Sequence, residues 1–243
     1  MNFKKRTGVY LYYCLIYLFY LLIKFTIYTL PSLINYKKKF NTERLLILRK
    51  IIKNNFKRKI NVLEIGTHFG LGSTQIFIKN IPKNSTITCV DKWDHKIITK
   101  FDFLLPFLST VINASHNNIN IIRAPSTFIN QFKDNNYDLI YIDGSHQYIE
   151  VKKDILNAKK LANKNFSIIC GDDCELPYSK ENYRLSKNLV KKKMEKYSTN
   201  KKVFHPGVFL AVHELFKKIT VKNGFWYTVI NKKLQKKSKK NEQ

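Results

Sequence analysis

Short, mostly apolar runs recur along this chain from residue 60 onward, each followed by a turn or a helix-like stretch. They are INVLEI (60–65), TITCV (86–90), INIIR (119–123), YDLIYI (137–142) and FSIIC (166–170). Continuous rather than alternating apolar strands are buried on both faces, as in a parallel sheet covered by helices. Helical stretches are expected at 71–81, 149–161 and 207–218. In the second, Val151, Ile155, Ala158, Leu161 and Ala162 fall on one face at steps of three and four. A last run, FWYTVI (225–230), reads as an antiparallel edge strand. The pattern predicts an α/β, doubly wound, mostly parallel sheet. A chain of 243 residues holds one such domain plus a short appendage.

The appendage is residues 1–40. After Lys4, Lys5 and Arg6, residues 9–23 carry no charge, Lys24 interrupts, and residues 25–34 are again uncharged. Fifteen residues are short of the roughly 20 a bilayer span needs, unless Lys24 snorkels to an interface. Tyr10, Tyr12, Tyr13, Tyr17, Tyr20 and Tyr28 suit a membrane interface. The segment is expected to be a hydrophobic helix that anchors the chain to a membrane. Lys37–Lys39, Arg44, Arg49 and Lys50 then place the bulk in the cytoplasm. A helix packed on the domain or on a second copy, and a cleaved secretory signal, are the alternatives. Residues 41–231 form the expected folded domain, and the Lys-rich residues 232–243 a disordered tail.

Formal net charge is +27, from 44 Lys+Arg against 17 Asp+Glu. Such a balance usually indicates nucleic acid, anionic lipid or an acidic substrate. Here the excess is almost all Lys and accompanies abundant Asn, Ile, Phe and Tyr, which reads as a chain-wide bias rather than a basic face. Cys14, Cys89, Cys170 and Cys174 form no paired scaffold and no C-x-x-C pair, so a reducing compartment fits and a zinc site of that kind does not.

The first strand runs into a loop containing Gly66, Gly70 and Gly72. Strand, Gly-rich turn and helix together form the nucleotide-binding arrangement of a doubly wound sheet. The spacing G-x-x-x-G-x-G is neither the dinucleotide fingerprint nor a P-loop, which argues against a pyrophosphate ligand. Asp91, 25 positions after Gly66, ends the second strand, where a carboxylate can accept from ribose hydroxyls or cap a helix. Ser126 opens a helix after the third strand, at a position suited to an adenine edge. Asp143 follows the fourth strand, and Asp172 and Asp173 the fifth. Three carboxylates converging at one sheet edge repel one another unless a cation or protons offset them, and oxygen ligands favour Mg²⁺. His146, three residues past Asp143, is placed to exchange protons near neutral pH. His68, His95, His205 and His213 are read as ordinary histidines, although His205-Pro206-Gly207 could line the pocket.

Together these residues resemble class I S-adenosylmethionine-dependent methyltransferases. LEIGTHFGLGST resembles the first motif of that superfamily and VDKWD its ribose-binding strand end. YDLIYIDGSHQYIEVKKDI with FSIICGDD resembles the metal-dependent O-methyltransferases related to the macrocin (macrolide sugar) enzymes, and HPGVFLAVHELF resembles a helix of that branch. The likeness spans about residues 61–230. It implies a Rossmann-like, seven-stranded sheet. It also implies a cofactor contact set of Glu64, Gly66, Thr67, Gly70, Gly72, Ser73, Asp91, Ser126 and Asp143. Asp143, Asp172 and Asp173 would hold Mg²⁺ or another hard divalent cation, with His146 as general base. Some relatives carry Glu where Asp172 stands, and Asn165-Phe166 replaces a usual Gly-Gly.

The implied reaction is methyl transfer to a hydroxyl of a small molecule or a sugar or glycan precursor. Nucleic acid is not the expected partner, since no N-P-P-[YF]-like sequence and no Pro-Cys nucleophile occurs. A second copy of the chain is a further candidate partner. The rival readings are an RNA methyltransferase and an inactive, membrane-tethered protein with the methyltransferase fold.

Overall fold

The computed structural model describes residues 15, 17, 18, 21, 22, 43–94, 104–114, 118–199 and 202–231. The chain divides into Met1–Thr42 and Glu43–Gln243. In the first unit the described residues are helical, and Leu15, Tyr17, Leu18 and Leu22 are exposed. Among the described residues no helix is long and apolar enough to cross a membrane. Most of the expected anchor, His95 and the tail 232–243 lie outside the described residues.

The second unit runs α1 (Glu43–Asn55), β1 (Asn61–Ile65), α2 (Ser73–Asn80), β2 (Thr86–Asp91), α3 (Leu104–Asn113) and β3 (Ile119–Arg123). A 3₁₀ turn (Ser126–Gln131), β4 (Leu139–Ile142), α4 (Tyr148–Leu161) and β5 (Phe166–Cys174) follow. Then come α5 (Lys180–Lys191), β6 (Tyr197–Thr199), β7 (Lys202–Phe204), α6 (Pro206–Leu215), β8 (Thr220–Lys222) and β9 (Gly224–Asn231). Seven strands form one sheet in the order β3-β2-β1-β4-β5-β9-β8, and β6 and β7 pair separately. The first five strands are parallel; β9 runs antiparallel to β5, and β8 to β9.

Both faces of the sheet are covered, as the unbroken apolar strands require. On one face Leu63, Ile65, Ile140, Ile142 and Ile169 pack in a cluster with Val151, Ile155 and Ala158 of α4 and with Val208, Phe209 and Val212 of α6. On the other, Phe77 of α2 meets Tyr141 edge-on, and Phe56 meets Phe166. Each fully buried aliphatic side chain contributes about 1.5–3 kcal/mol.

Three expectations change. The run 225–230 is an inner strand, because the hairpin partner β8 takes the edge. Asn223 and Gly224 join the pair with φ of 53° and 86°, the two left-handed positions of a two-residue hairpin turn. The stretch opened by Ser126 is a 3₁₀ turn rather than an α-helix. Finally, β5 runs on to Cys174, so Asp172 and Asp173 lie inside the strand, where its pairing with β9 becomes irregular between Gly171 and Cys174.

Candidate functional site

Strand order reverses between β1 and β4, and ligands of open α/β sheets bind outside the strand ends at such a point. The glycine loop occupies one side of this crevice. Gly66 has φ +85°, and a Cβ there would lie 2.1 Å from the Asp143 carbonyl oxygen, so the loop after β1 presses directly on the turn after β4. Gly70 and Gly72 complete the loop, Gly72 as N-cap of α2.

Asp91 braces that loop. Its Oδ2 accepts from the backbone N–H of Thr67 and of His68, each at 2.8 Å, and its Oδ1 from Trp93 N–H at 2.8 Å. A carboxylate has about four acceptor positions, so one remains on Oδ1 for a ribose hydroxyl. Two direct bonds to vicinal hydroxyls would require one of the backbone bonds to give way. Glu64 turns inward instead: it is fully buried and accepts from Ser73 Oγ at 2.5 Å, Thr74 Oγ1 at 2.8 Å and Cys89 Sγ at 3.4 Å. Burial pushes its pKa up to about 7 against those hydrogen bonds. Glu64 and Ser73 thus join β1 to the start of α2, while Thr67 is buried behind the loop. Ser126, partly exposed, begins the 3₁₀ turn.

The acidic side of the crevice is built by β4 and β5. Ile142 pairs with Gly171, so Asp143 and Asp172 occupy the next positions on adjacent strands. Asp143 opens to the crevice, and Tyr141 Oη donates to its Oδ2 at 3.5 Å. The surrounding protein mass, then the charges of Asp172 and Asp173, hold the Asp143 carboxyl well above its ordinary pKa. Burial, offset by Arg44 and reinforced by Asp173, raises Asp172 to about 7. Asp173 behaves oppositely. Burial alone would raise it, but the His146 hydrogen bond, the charges of His205 and His146, and the Arg44 hydrogen bond bring it to about 2. Its backbone sits at φ +65°, a region few side chains adopt, at the strand irregularity.

Two histidines meet at Asp173. Helices α4 and α6 pack against one another, and Gly207 in the first turn of α6 lies against the His146 carbonyl just before α4, which brings the residues preceding both helices together. His146 Nε2 lies 2.7 Å from Asp173 Oδ2, and its ring stacks on His205 with centroids 4.3 Å apart. His205 Nδ1 bonds Glu175 Oε1 at 2.9 Å and lies 3.7 Å from Asp173 Oδ1. The ligand atoms of His146, Asp173 and His205 all fall within 4.8 Å of one another; Asp143 and Asp172 lie outside that group.

The acidic pair already has a cation partner. Arg44 Nη1 is 2.6 Å from Asp172 Oδ1 and 3.0 Å from Asp173 Oδ1. Neither Arg44 nor Glu175 was expected in the site. Arg44 lies 128 positions before Asp172, and the available signal was chemical: an Arg in a Lys-dominated chain, where its planar fork suits paired carboxylates.

Crowded carboxylates with raised pKa values fit a divalent cation, which would relieve their repulsion. The imidazoles beside them widen the choice from Mg²⁺ toward Mn²⁺. The glycine loop and the remaining Asp91 acceptor likewise fit a nucleoside.

Residues 63–174 match a protein family described as a methyltransferase domain. No curated protein sequence matches the chain. The fold is similar to that of a candidate caffeoyl-CoA O-methyltransferase from Staphylococcus aureus (TM-score 0.53, 17% identity, covering 86% of this chain and 97% of that one). It is also similar to a protein of Corynebacterium glutamicum (TM-score 0.52, 11% identity, covering 83% and 89%).

Proposed function

We propose that this chain, an S-adenosylmethionine-dependent methyltransferase, moves the methyl group onto a hydroxyl oxygen of a small molecule or of a sugar or glycan precursor. The observation that carries this reading is the 2.7 Å bond between His146 Nε2 and Asp173 Oδ2 at the sheet's switch-point edge. With Nε2–H donated to Asp173, the ring is held in one orientation and Nδ1 is the nitrogen able to accept a proton.

S-adenosylmethionine supplies an electrophilic methyl on a sulfonium, and a divalent cation a fixed positive charge that acidifies a nearby hydroxyl. The chain's own residues do the rest. The glycine loop and Asp91 seat the nucleoside end of the donor. Asp143, Asp172 and Asp173, with His205 beside them, would hold the cation. His146 takes the acceptor proton at Nδ1 as the new O–CH₃ bond forms and the S–CH₃ bond breaks, leaving a neutral thioether. Asp173 then faces an imidazolium and offsets its charge. The hydrophobic segment 1–40, as a membrane anchor, would hold the catalytic unit at the cytoplasmic surface, close to a lipid-linked acceptor.

Replacing His146 with Ala is expected to lower turnover by about 10²–10⁴-fold, with S-adenosylmethionine affinity unchanged by calorimetry. Turnover on a vicinal diol or glycan acceptor, measured with labelled donor, should disappear in EDTA and return with Mg²⁺ or Mn²⁺. Full activity in chelator would remove the cation from the reaction.

A further inference from the structure

The Arg44 guanidinium is seated as a bound ion would be. Nη1 bridges Asp172 Oδ1 and Asp173 Oδ1, Nη2 lies 3.9 Å from Glu175 Oε1, and Nε donates to the Asn223 carbonyl at 2.7 Å. Three carboxylates and one carbonyl thus surround it. Glu43 accepts a hydrogen bond from the Asn223 amide, which fastens the first turn of α1 to the β8–β9 hairpin and delivers Arg44 to the acidic strand end. An exposed lysine near acids would be a passing contact. Arg44 is half-buried and donates from two of its nitrogens to three different acceptors.

We propose that Arg44 is the resident cation of the Asp172–Asp173 pair, and that a divalent ion enters this edge only by displacing it. Asp172 Oδ1, which Arg44 holds at 2.6 Å, also accepts the Asp173 backbone N–H at 2.8 Å, so little acceptor capacity is left on that atom while the guanidinium stays. The consequence is a divalent affinity set by competition within the chain. The role differs from that of His146, whose Nε2 bonds the other oxygen of Asp173. It deepens the metal-assisted reading above and rests on it.

The test is Mn²⁺ binding to the full chain, followed by electron paramagnetic resonance and by calorimetry at fixed pH, for the wild type, Arg44→Gln and Arg44→Lys. Circular dichroism and S-adenosylmethionine binding establish that each variant is folded. Arg44→Gln is expected to bind Mn²⁺ at least about tenfold more tightly than wild type, because the competing charge is gone. Arg44→Lys should fall between them, since a single ammonium cannot reproduce the bridged, forked geometry. If Arg44→Gln does not fold, Arg44→Lys against wild type decides alone. Equal affinity in the folded proteins overturns the role of Arg44 and leaves the metal site standing. Absence of Mn²⁺ binding in all of them overturns both.

Discussion

Asp154 shows how one side chain ties stability to pH. It is 1% exposed on the packed face of α4, and neither carboxylate oxygen has a partner in hydrogen-bond geometry, although the Ser126 hydroxyl is near. Burial raises its pKa to about 6. The folded state therefore holds this proton more tightly than the unfolded chain does. The stabilisation is full below about pH 4 and is lost as the pH climbs through about 6. Above that, the buried charge costs about 3 kcal/mol. Asp154→Asn is expected to match wild type in urea unfolding near pH 4 and to exceed it by up to that amount at pH 8. A constant difference across the range would place the effect in packing rather than ionisation. Glu64 is the contrasting buried acid, since Ser73, Thr74 and Cys89 all donate to it.

At the scale of elements, the site depends on how closely two loops approach. The end of β1 and the turn after β4 touch at Gly66, where both the positive φ and the missing side chain are needed. Gly66→Ala places a Cβ against the Asp143 carbonyl in a backbone region that disfavours it, and should cost about 2–4 kcal/mol. Urea unfolding measures that loss. A parallel fall in S-adenosylmethionine affinity is expected, because Thr67 and His68, which anchor on Asp91, are the next residues. The β8–β9 hairpin was legible in principle: Asn-Gly between TVK and FWY is a strong hairpin signal. It was missed because the three-residue strand β8 is too short to show a pattern. Helices α1 and α5 were missed for a different reason: their buried positions are few, Leu48, Ile51 and Ile52 in one and Ser186 and Leu189 in the other, and the rest of each helix is rich in Lys, Arg and Asn.

For the whole molecule, the complete sheet and every site residue belong to the unit Glu43–Gln243. Removing residues 1–36 leaves Arg44 and all of α1 in place. The truncated chain is expected to keep S-adenosylmethionine binding while losing sedimentation with lipid vesicles. Equal sedimentation of both forms would remove the anchor reading. The sequence by itself determined the parallel core, the glycine loop, the acid at the tip of β2 and the arrival of Asp143, Asp172 and Asp173 at one sheet edge. Each of these follows from local apolar pattern and from strand ends lying side by side in a parallel sheet. Which charges meet there was decided only in three dimensions. His205 reaches Asp173 and Glu175 through helix packing, and Arg44 through the docking of α1 on a distant hairpin. Side-chain direction produced the rest: Glu64 faces the interior and Asp91 spends three acceptor positions on backbone N–H groups. The Arg44 contacts join residues more than a hundred positions apart and the His205 contacts residues about thirty apart, and no periodicity or spacing along the chain encodes either.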